Sequence, residues 1–229
     1  MPIRIVVPVA MLLVGSATAR ADDKAEPSED LEKTGWGMGA KVRRSYVPPS
    51  IQRLFMEDTP GAATMDGAGI DFARRKGSTE VVFGFGYDRL HARQGYYLEK
   101  GGDPLVAGKV DYVTFRRPHW YTVELTAVSH AQIHKFLEFR FGGGIGIGLI
   151  RGTVRKTDSV CTGASIQQDC MVDPLGIEVN KPADLPPVLP VVNLLIGLKF
   201  RPFDFLHINV DAGIHTVPYL GVGVQLYLW

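Results

Sequence analysis

The chain has 229 residues, a length that suits a single domain of ordinary size. Its formal net charge is +1 and no dense basic cluster occurs, so nothing in the composition points to a nucleic-acid partner. The two cysteines lack the nearby histidine or second cysteine pair that a tetrahedral metal site needs, and we expect no metal or other cofactor.

The N-terminus predicts export. Residues 1–21 start with the basic Arg4, continue with an apolar run over 5–14 and end on the small residues of Ala19-Arg20-Ala21. This order predicts a secretory signal peptide cleaved after about Ala21, because the apolar run is too short to cross a membrane as a helix. Residues 22–33 are charged and lack apolar periodicity, so we interpret them as a flexible periplasmic leader before a domain at 34–229.

From residue 34 onward, large apolar residues recur at every second position in eight segments. Such a period of two indicates β-strands, since successive side chains of a strand point to opposite faces. A tilted strand of about 9 to 11 residues crosses a bilayer, and the segments approach this length. They are 35–43, 68–73, 80–88, 119–127, 134–154, 192–200, 205–212 and 220–228.

The fifth segment, "HKFLEFRFGGGIGIGLIRGTV", is rich in glycine and could be mistaken for a phosphate-binding loop. Its glycines recur at every second residue, whereas the nucleotide-binding fingerprint needs Gly-x-Gly-x-x-Gly. A membrane helix would need about 18 apolar residues, and Glu138 and Arg140 interrupt the run. The segment is therefore interpreted as a strand with one apolar face and one glycine-rich face.

Charged residues of the membrane-length segments fall on the glycine-rich face, and the apolar face carries none. A Lys or Arg that faces the bilayer midplane costs about 2 to 4 kcal/mol, so lipid explains this distribution. We predict an all-β fold, a transmembrane antiparallel up-and-down β-barrel with eight strands, whose polar residues pair inside and close the lumen. The predicted lumen residues are Lys41, Arg43, Asp71, Glu80, Asp88, Glu124, Glu138, Arg140, Lys199, His207 and Asp211.

The connections between segments alternate in length. Short ones fall at 74–78, 129–135 and 201–204, and long ones at 48–67, 90–118 and 155–190, whereas the last connection is brief. Short periplasmic turns and longer outer loops are typical of outer-membrane barrels. The second short connection would place His130 and His134 in a periplasmic turn.

Two further features lie in the long connections. Residues 89–99 and 105–117 predict a hairpin that continues the third and fourth strands and turns at "KGGDP". Cys161 and Cys170 lie in the third long connection, where export and an even count favour a loop disulfide. Pro118 is expected at the start of a strand, because a proline interrupts a central ladder.

The C-terminus "LGVGVQLYLW" brings the chain close to a known family. Together with the signal peptide and the pattern over 34–229, it resembles the small outer-membrane β-barrel proteins of Gram-negative bacteria, which include the OmpA transmembrane domain. The resemblance implies contact with outer-membrane lipid, and recognition by the barrel-assembly machinery through Tyr227 and Trp229. Trp229 is out of step with Leu226 and Leu228, so it either lies past the strand at the membrane interface or follows a bulge.

Several functions are compatible with these features. We predict a bacterial outer-membrane protein that acts non-enzymatically through its extracellular loops, in envelope integrity, surface contact or adhesion. The alternatives are passage of a small or apolar solute in the manner of a porin, a lipid-modifying enzyme, and a secreted soluble ligand-binding β-barrel. The enzyme would need a Ser–His–acid group at the outer rim, and only Ser129 stands beside a histidine, His130.

Overall fold

Antiparallel strands make up most of the chain in the computed structural model, which describes residues 34–229 apart from 55, 107, 174, 184 and 185. The predicted signal peptide and leader lie outside the described residues. No helix in this part of the chain is long and apolar enough to cross a membrane. The elements are β1 (Thr34–Val47), α1 (Pro49–Gln52), β2 (Met56–Asp58), β3 (Ala63–Lys76), β4 (Thr79–His91), β5 (Gly95–Glu99), β6 (Val110–His134), β7 (Leu137–Cys161), α2 (Ile166–Asp169), β8 (Cys170–Val172), β9 (Lys181–Pro182), β10 (Val188–Phe203), β11 (Leu206–His215) and β12 (Val217–Leu228).

Eight of these strands close into a barrel. β1, β3, β4, β6, β7, β10, β11 and β12 each pair antiparallel with the next, and β12 pairs back onto β1 from Trp36 opposite Leu228 to Ser45 opposite Tyr219. Closure leaves no barrel strand with an unpaired edge. The predicted eight-stranded up-and-down barrel is therefore confirmed, and each predicted segment falls on one of the eight strands. The fifth strand begins at Leu137 instead of residue 134.

The outer wall of the barrel is a continuous apolar band. Soluble proteins rarely expose contiguous apolar surface of more than a few hundred Å², because apolar area in water costs about 25 cal/mol per Å². The wall matches lipid instead, which makes the barrel transmembrane and rules out the soluble alternative. Its exposed side chains include Trp36, Met38, Val42, Ile70, Phe72, Val81, Phe83, Phe85, Leu125, Phe141, Ile145, Ile147, Leu194, Ile196, Leu198, Val210, Val222, Val224 and Leu226.

The two ends of the barrel differ. At one end the strands are joined by the tight turns 77–78, 135–136 and 204–205, and at the other by three longer loops and the single residue Thr216 between β11 and β12. Turns of this kind face the periplasm and long loops face outward, so we name the ends accordingly. The prediction of a turn over 129–135 is wrong: β6 continues to His134, and His130 lies inside the barrel.

An extracellular extension rises from one side of the barrel. β6 and β7 each have 25 residues, far more than the roughly 9 to 11 that cross a bilayer. Residues 110–116 of β6 and 153–161 of β7 continue outward as a pair of antiparallel strands. β5 pairs with β6, β2 with β5, and β8 and β9 with β7. The predicted hairpin of 89–99 with 105–117 is confirmed only for 95–98 with 110–113, because β4 ends at His91 and β6 begins at Val110. We call this sheet, together with α2 and the loop segment formed by residues 173 and 175–180, the extracellular extension.

A bulge separates the extension from the barrel. The register between β6 and β7 shifts between Arg116 and His119, where Arg117 has a φ of 47° and the facing Gly152 has a φ of 111°. Pro118 lies at this bulge inside β6, so the prediction that it starts a strand is wrong. A bulge has unpaired backbone groups, which is why a proline without an N–H is accommodated there.

Candidate functional site

The lumen is the first candidate site, and it is filled with polar side chains. All eleven residues predicted for it lie on the inner face, because the inward position alternates with the lipid-facing one along every strand. Their contacts form three groups along the barrel axis, described below from the periplasmic end outward.

The periplasmic group is centred on two carboxylates. Lys199 donates a hydrogen bond to Glu80 at 2.6 Å, and His130 Nε2 lies 2.7 Å from the same Glu80 oxygen. The other imidazole nitrogen of His130 lies 3.3 Å from Glu138 Oε2. Arg75 holds Glu138 through two parallel hydrogen bonds of 2.8 and 2.9 Å. This fork geometry is the strongest arrangement that arginine and a carboxylate adopt.

The central and outer groups continue the ion pairing. Lys41 lies between two carboxylates, 2.9 Å from Asp71 and 2.8 Å from Glu124. Arg43 contacts both oxygens of Asp88, at 2.9 and 2.5 Å. Arg140 and Asp211 face each other at 3.5 Å, and His207 is buried near the periplasmic end. Every predicted lumen charge therefore has an opposite charge within 4.0 Å.

Sequence reasoning missed part of this network. The sequence prediction places Arg75 and His130 in turns, although both keep the inward parity of their strands, and that parity is the signal that identifies them. Arg201 reaches Glu138 at 3.3 Å from the end of β10. His215 lies 3.1 Å from Glu124, and Asn193 donates to the same carboxylate at 3.1 Å. These pairings join residues far apart in the chain, some on neighbouring strands and some across the lumen, so they leave no signal in the local sequence.

Glycines on the inner face make room for these long side chains. A β-carbon on Gly84 would lie 2.9 Å from the Asp71 carboxylate and 3.1 Å from Glu124. One on Gly67 would collide with the Asp88 carboxylate. The alternation of glycine and charge therefore has a packing cause: an eight-stranded barrel has room inside for side chains and little else. A cavity lined by residues that include Lys41, Asp71 and Arg140 measures about 40 Å³, enough for a few water molecules.

Both mouths of the barrel are covered. At the extracellular end the buried Met65, Trp120 and Val191 pack together with Leu90, Ile150 and Val217. At the periplasmic end the rings of His207 and Tyr227 stack at 4.4 Å, and Tyr227 stacks on Trp229 at 5.4 Å. Trp229 lies past the last residue of β12, as one of the two sequence interpretations held, and its indole N–H donates to the Asp204 carbonyl at 2.7 Å. Its ring packs against this mouth rather than on the lipid-facing wall.

The extracellular extension is the second candidate site. Leu98, Val110, Ile166 and Cys170 form its core, and a disulfide joins Cys161 to Cys170. In contrast, its loop segment presents apolar side chains to solvent. Leu175 and Ile177 are 92% and 88% exposed, and Met171 on the short strand β8 is 65% exposed. The extension is thus a sheet with a disulfide, and we call the exposed side chains of Met171, Leu175 and Ile177 its apolar tip.

Charged groups anchor this loop segment to the sheet. Asp111, Asp158 and Glu178 bring carboxylate oxygens within 4.8 Å of one another. The ammonium of Lys156 lies among them, 3.8 Å from Asp111 and in contact with Glu178. Its hydrogen bond to Glu178 raises the pKa of Lys156, so the ammonium form is favoured. Lys156 balances part of the negative charge of the three carboxylates. Its ion pair with Glu178 holds the loop segment against β7.

The comparisons with known proteins concern the fold. The sequence matches no model of a known protein family and no curated protein. Among solved structures, the chain is similar to Neisserial surface protein A, with 10% identity, a TM-score of 0.45 and coverage of 85% of this chain and 99% of the other. It is also similar to Ail, the attachment invasion locus protein of Yersinia pestis, with 10% identity, a TM-score of 0.45 and coverage of 86% and 99%. The assignment as a transmembrane barrel rests on the strand pairing and the apolar wall.

Proposed function

We propose that the chain is an outer-membrane β-barrel of a Gram-negative bacterium with a closed lumen, which acts without catalysis through its extracellular loops by contact with surfaces outside the cell. Among the roles open at the sequence level, surface contact or adhesion is favoured over a purely structural role in envelope integrity. The observation that carries this choice is the extracellular extension, which holds Leu175 and Ile177 almost fully in solvent.

The extension has the physical properties of a binding surface. Its hairpin, its buried core and the Cys161–Cys170 disulfide restrict the loop before any partner arrives, which lowers the entropy cost of association. Exposed apolar side chains cost free energy in water, and contiguous apolar patches on surfaces that face water mark interaction sites. A partner with an apolar surface would recover this cost by covering the tip.

Ion pairing in the lumen supports a closed barrel over solute passage. Its charged side chains are held by opposite charges, and the apolar cluster of Met65, Trp120 and Val191 covers the outer mouth.

The one Ser–His neighbour pair does not support a lipid-modifying enzyme. Ser129 and His130 point to opposite faces of β6, and His130 is engaged with Glu80 and Glu138 inside the barrel.

The first experiment tests the location. The full-length chain is expressed in a Gram-negative host, and membrane fractions are analysed by gel electrophoresis with and without boiling. We expect recovery in the outer membrane and a band that shifts on boiling, because folded barrels resist detergent. Mass spectrometry of the recovered chain tests cleavage after about Ala21. Recovery as a soluble periplasmic protein without a shift contradicts the proposal.

The second experiment tests the contact surface. Bacteria that display the chain are compared with bacteria carrying an empty vector for adhesion to a cultured epithelial monolayer and to each other. We expect wild-type cells to adhere more, and the double variant Leu175→Glu, Ile177→Glu to lose most of that gain. The matched control is Leu105→Glu, which adds a carboxylate at a position 62% exposed in another loop. Equal adhesion of the double variant and wild type overturns the role of this tip.

The proposed assembly partner is the barrel-assembly machinery, reached through the C-terminal strand with Tyr227 and Trp229. Removal of Trp229 should slow insertion in cells, whereas refolding of the purified chain into detergent should change little. Equal insertion rates in cells contradict this assignment.

A further inference from the structure

A row of basic side chains crosses the outer wall at the extracellular rim. Arg89 of β4 is directly opposite His119 of β6, and His119 is directly opposite Arg151 of β7. Side chains at such positions start about 5 Å apart and point to the same face of the sheet. Arg89 and Arg151 are exposed, so the row forms one basic strip on the outside of the barrel.

The acid in this row lies closer to other basic groups. Asp66 of β3 is directly opposite Arg89, but its carboxylate lies 3.7 Å from Arg44 and 3.4 Å from His91. Among the described residues, neither Arg89 nor Arg151 has a carboxylate within 4.0 Å. Arg89 and Arg151 lie two strands apart on either side of His119, so their like charges repel each other across the row. An anion placed over the row would remove this repulsion and accept hydrogen bonds from two guanidinium groups.

The bulge adds to the same strip. Arg117 has a φ of 47°, a left-handed conformation that is uncommon for a residue other than glycine. Both Arg116 and Arg117 are exposed at this bend, immediately before Pro118 and His119. Bulges next to binding sites often redirect side chains, and this one places two more exposed arginines within three residues of His119.

The level of the row relative to lipid identifies the ligand. One step toward the membrane, Tyr87, Tyr121 and Leu149 form the next row in the same register on the outer wall. Tyr87 and Tyr121 pack at 5.3 Å, and tyrosine rings favour the interface between lipid and water. The basic row therefore lies at the height of lipid headgroups, where phosphate groups are anchored next to their acyl chains.

His119 is positioned to take part. Its Nδ1 atom lies 3.1 Å from the Tyr87 hydroxyl. When that hydroxyl donates to Nδ1, the ring proton lies on Nε2, and the ring offers an N–H donor. Arginine forks match the oxygens of phosphate, so two arginines that flank such a donor form a phosphate-binding arrangement.

We propose that Arg89, His119 and Arg151 bind the phosphate group of an anionic lipid in the outer leaflet, with Arg116 and Arg117 contributing charge from above. This site is separate from the apolar tip of the extension, and it concerns the barrel's own lipid surroundings rather than an extracellular contact.

The test uses the full chain purified in a zwitterionic detergent and three probes: lipid A with two phosphates, the same glycolipid after removal of its phosphates, and inorganic phosphate. Binding is measured by native mass spectrometry and by titration. We expect the phosphorylated lipid to bind at least about tenfold more tightly than the dephosphorylated one, the effect of one hydrogen bond to a charged group. Equal binding of the two lipids overturns the proposal without any variant.

The double variant Arg89→Gln, Arg151→Gln should lose this preference. Its matched control is Arg74→Gln, Lys135→Gln, which removes the same charge from the periplasmic rim and should keep it. Heat-modifiable mobility verifies that each variant is folded. Retention of the preference by the first variant overturns the proposal. Binding of inorganic phosphate as tight as that of the lipid also overturns it, since the site would then take a free anion instead of a headgroup.

Discussion

The ammonium of Lys199 lies 2.6 Å from the Oε2 atom of Glu80, and both side chains are fully buried in the periplasmic half of the barrel. Removal of Lys199 leaves the buried Glu80 carboxylate without its ammonium partner, and breaking a buried pair in this way costs about 3 to 5 kcal/mol. We therefore expect Lys199→Met to lower the free energy of unfolding by about that amount, measured by urea unfolding of the barrel in lipid vesicles.

Two controls accompany this variant. The double variant Lys199→Met, Glu80→Met removes both charges, so we expect it to be more stable than the single variant. Lys109→Met breaks the exposed pair with Glu99, which should cost less than about 1 kcal/mol. If Lys199→Met is no more destabilising than Lys109→Met, the buried pair does not stabilise the lumen as described.

Gly146 tests why the inner face is rich in glycine. A β-carbon there would collide with the backbone oxygen of Val123 and lie 3.0 Å from the β-carbon of Glu124. Because backbone atoms of a paired strand cannot give way easily, we expect Gly146→Ala to cost about 1 to 3 kcal/mol in unfolding free energy.

Gly223 is the matched position, because its added β-carbon would meet Ala40 O and the Lys41 β-carbon only at 3.3 Å each. We expect Gly223→Ala to change the free energy of unfolding by less than about 1 kcal/mol, partly because alanine restricts the unfolded chain. Equal losses at the two positions would mean that glycine acts through backbone flexibility and not through space.

We expect the disulfide to stabilise the extension without changing the stability of the barrel. Cys161 and Cys170 close a short loop outside the membrane, and such a bridge contributes about 2 to 3 kcal/mol by restricting the unfolded chain. We expect Cys161→Ala, Cys170→Ala to speed proteolysis within 162–183 many-fold, while the heat-modifiable band and its unfolding midpoint stay the same. Wild-type protein treated with reductant should behave like the variant. A lower midpoint of the barrel itself would contradict this separation.

Asp111 gives the extension a pH dependence. Burial raises the pKa of Asp111, and the nearby Asp158 and Glu178 carboxylates raise it further against the opposing charge of Lys156. Because the folded extension holds this proton more tightly than the unfolded one, stability is highest below the unfolded pKa. It falls as the pH rises from there through the folded pKa, so the ionised Asp111 weakens the extension at neutral pH.

We therefore expect Asp111→Asn to slow hydrogen exchange in residues 110–116 and 153–158 at pH 7, by less than about fivefold at this half-exposed site. Near pH 3 the variant and wild type should exchange alike, after correction for the intrinsic rate. Asp103→Asn, in the loop between β5 and β6, serves as the control and should have no effect. Faster exchange in Asp111→Asn at pH 7 would show that the Lys156 attraction outweighs burial.

The sequence by itself determined the barrel. Lipid on one side and a narrow lumen on the other impose a period of two on every strand, and that period can be read locally. The face that meets lipid can be identified from five neighbouring residues, because the apolar Leu137, Phe139 and Phe141 alternate with the charged Glu138 and Arg140. The alternation of short and long connections predicts which end of the barrel faces outward. Two cysteines in one loop predict the disulfide, which the structure contains. Each of these signals can be read from the chain without knowing which strands pair.

The tertiary structure decided which side chains pair with each other inside the barrel and on its rim. Glu80 and Lys199 are separated by 119 positions, and Glu80 meets Lys199 and His130 only because the sheet closes with one stagger. β6 continues through the bulge at Arg117 into the extension, so Pro118 lies inside a strand and not at its start. The row of Arg89, His119 and Arg151 likewise depends on register across three strands. Strand register is set by long-range pairing and packing, so the local sequence that fixes each strand's two faces does not fix which residues meet across them.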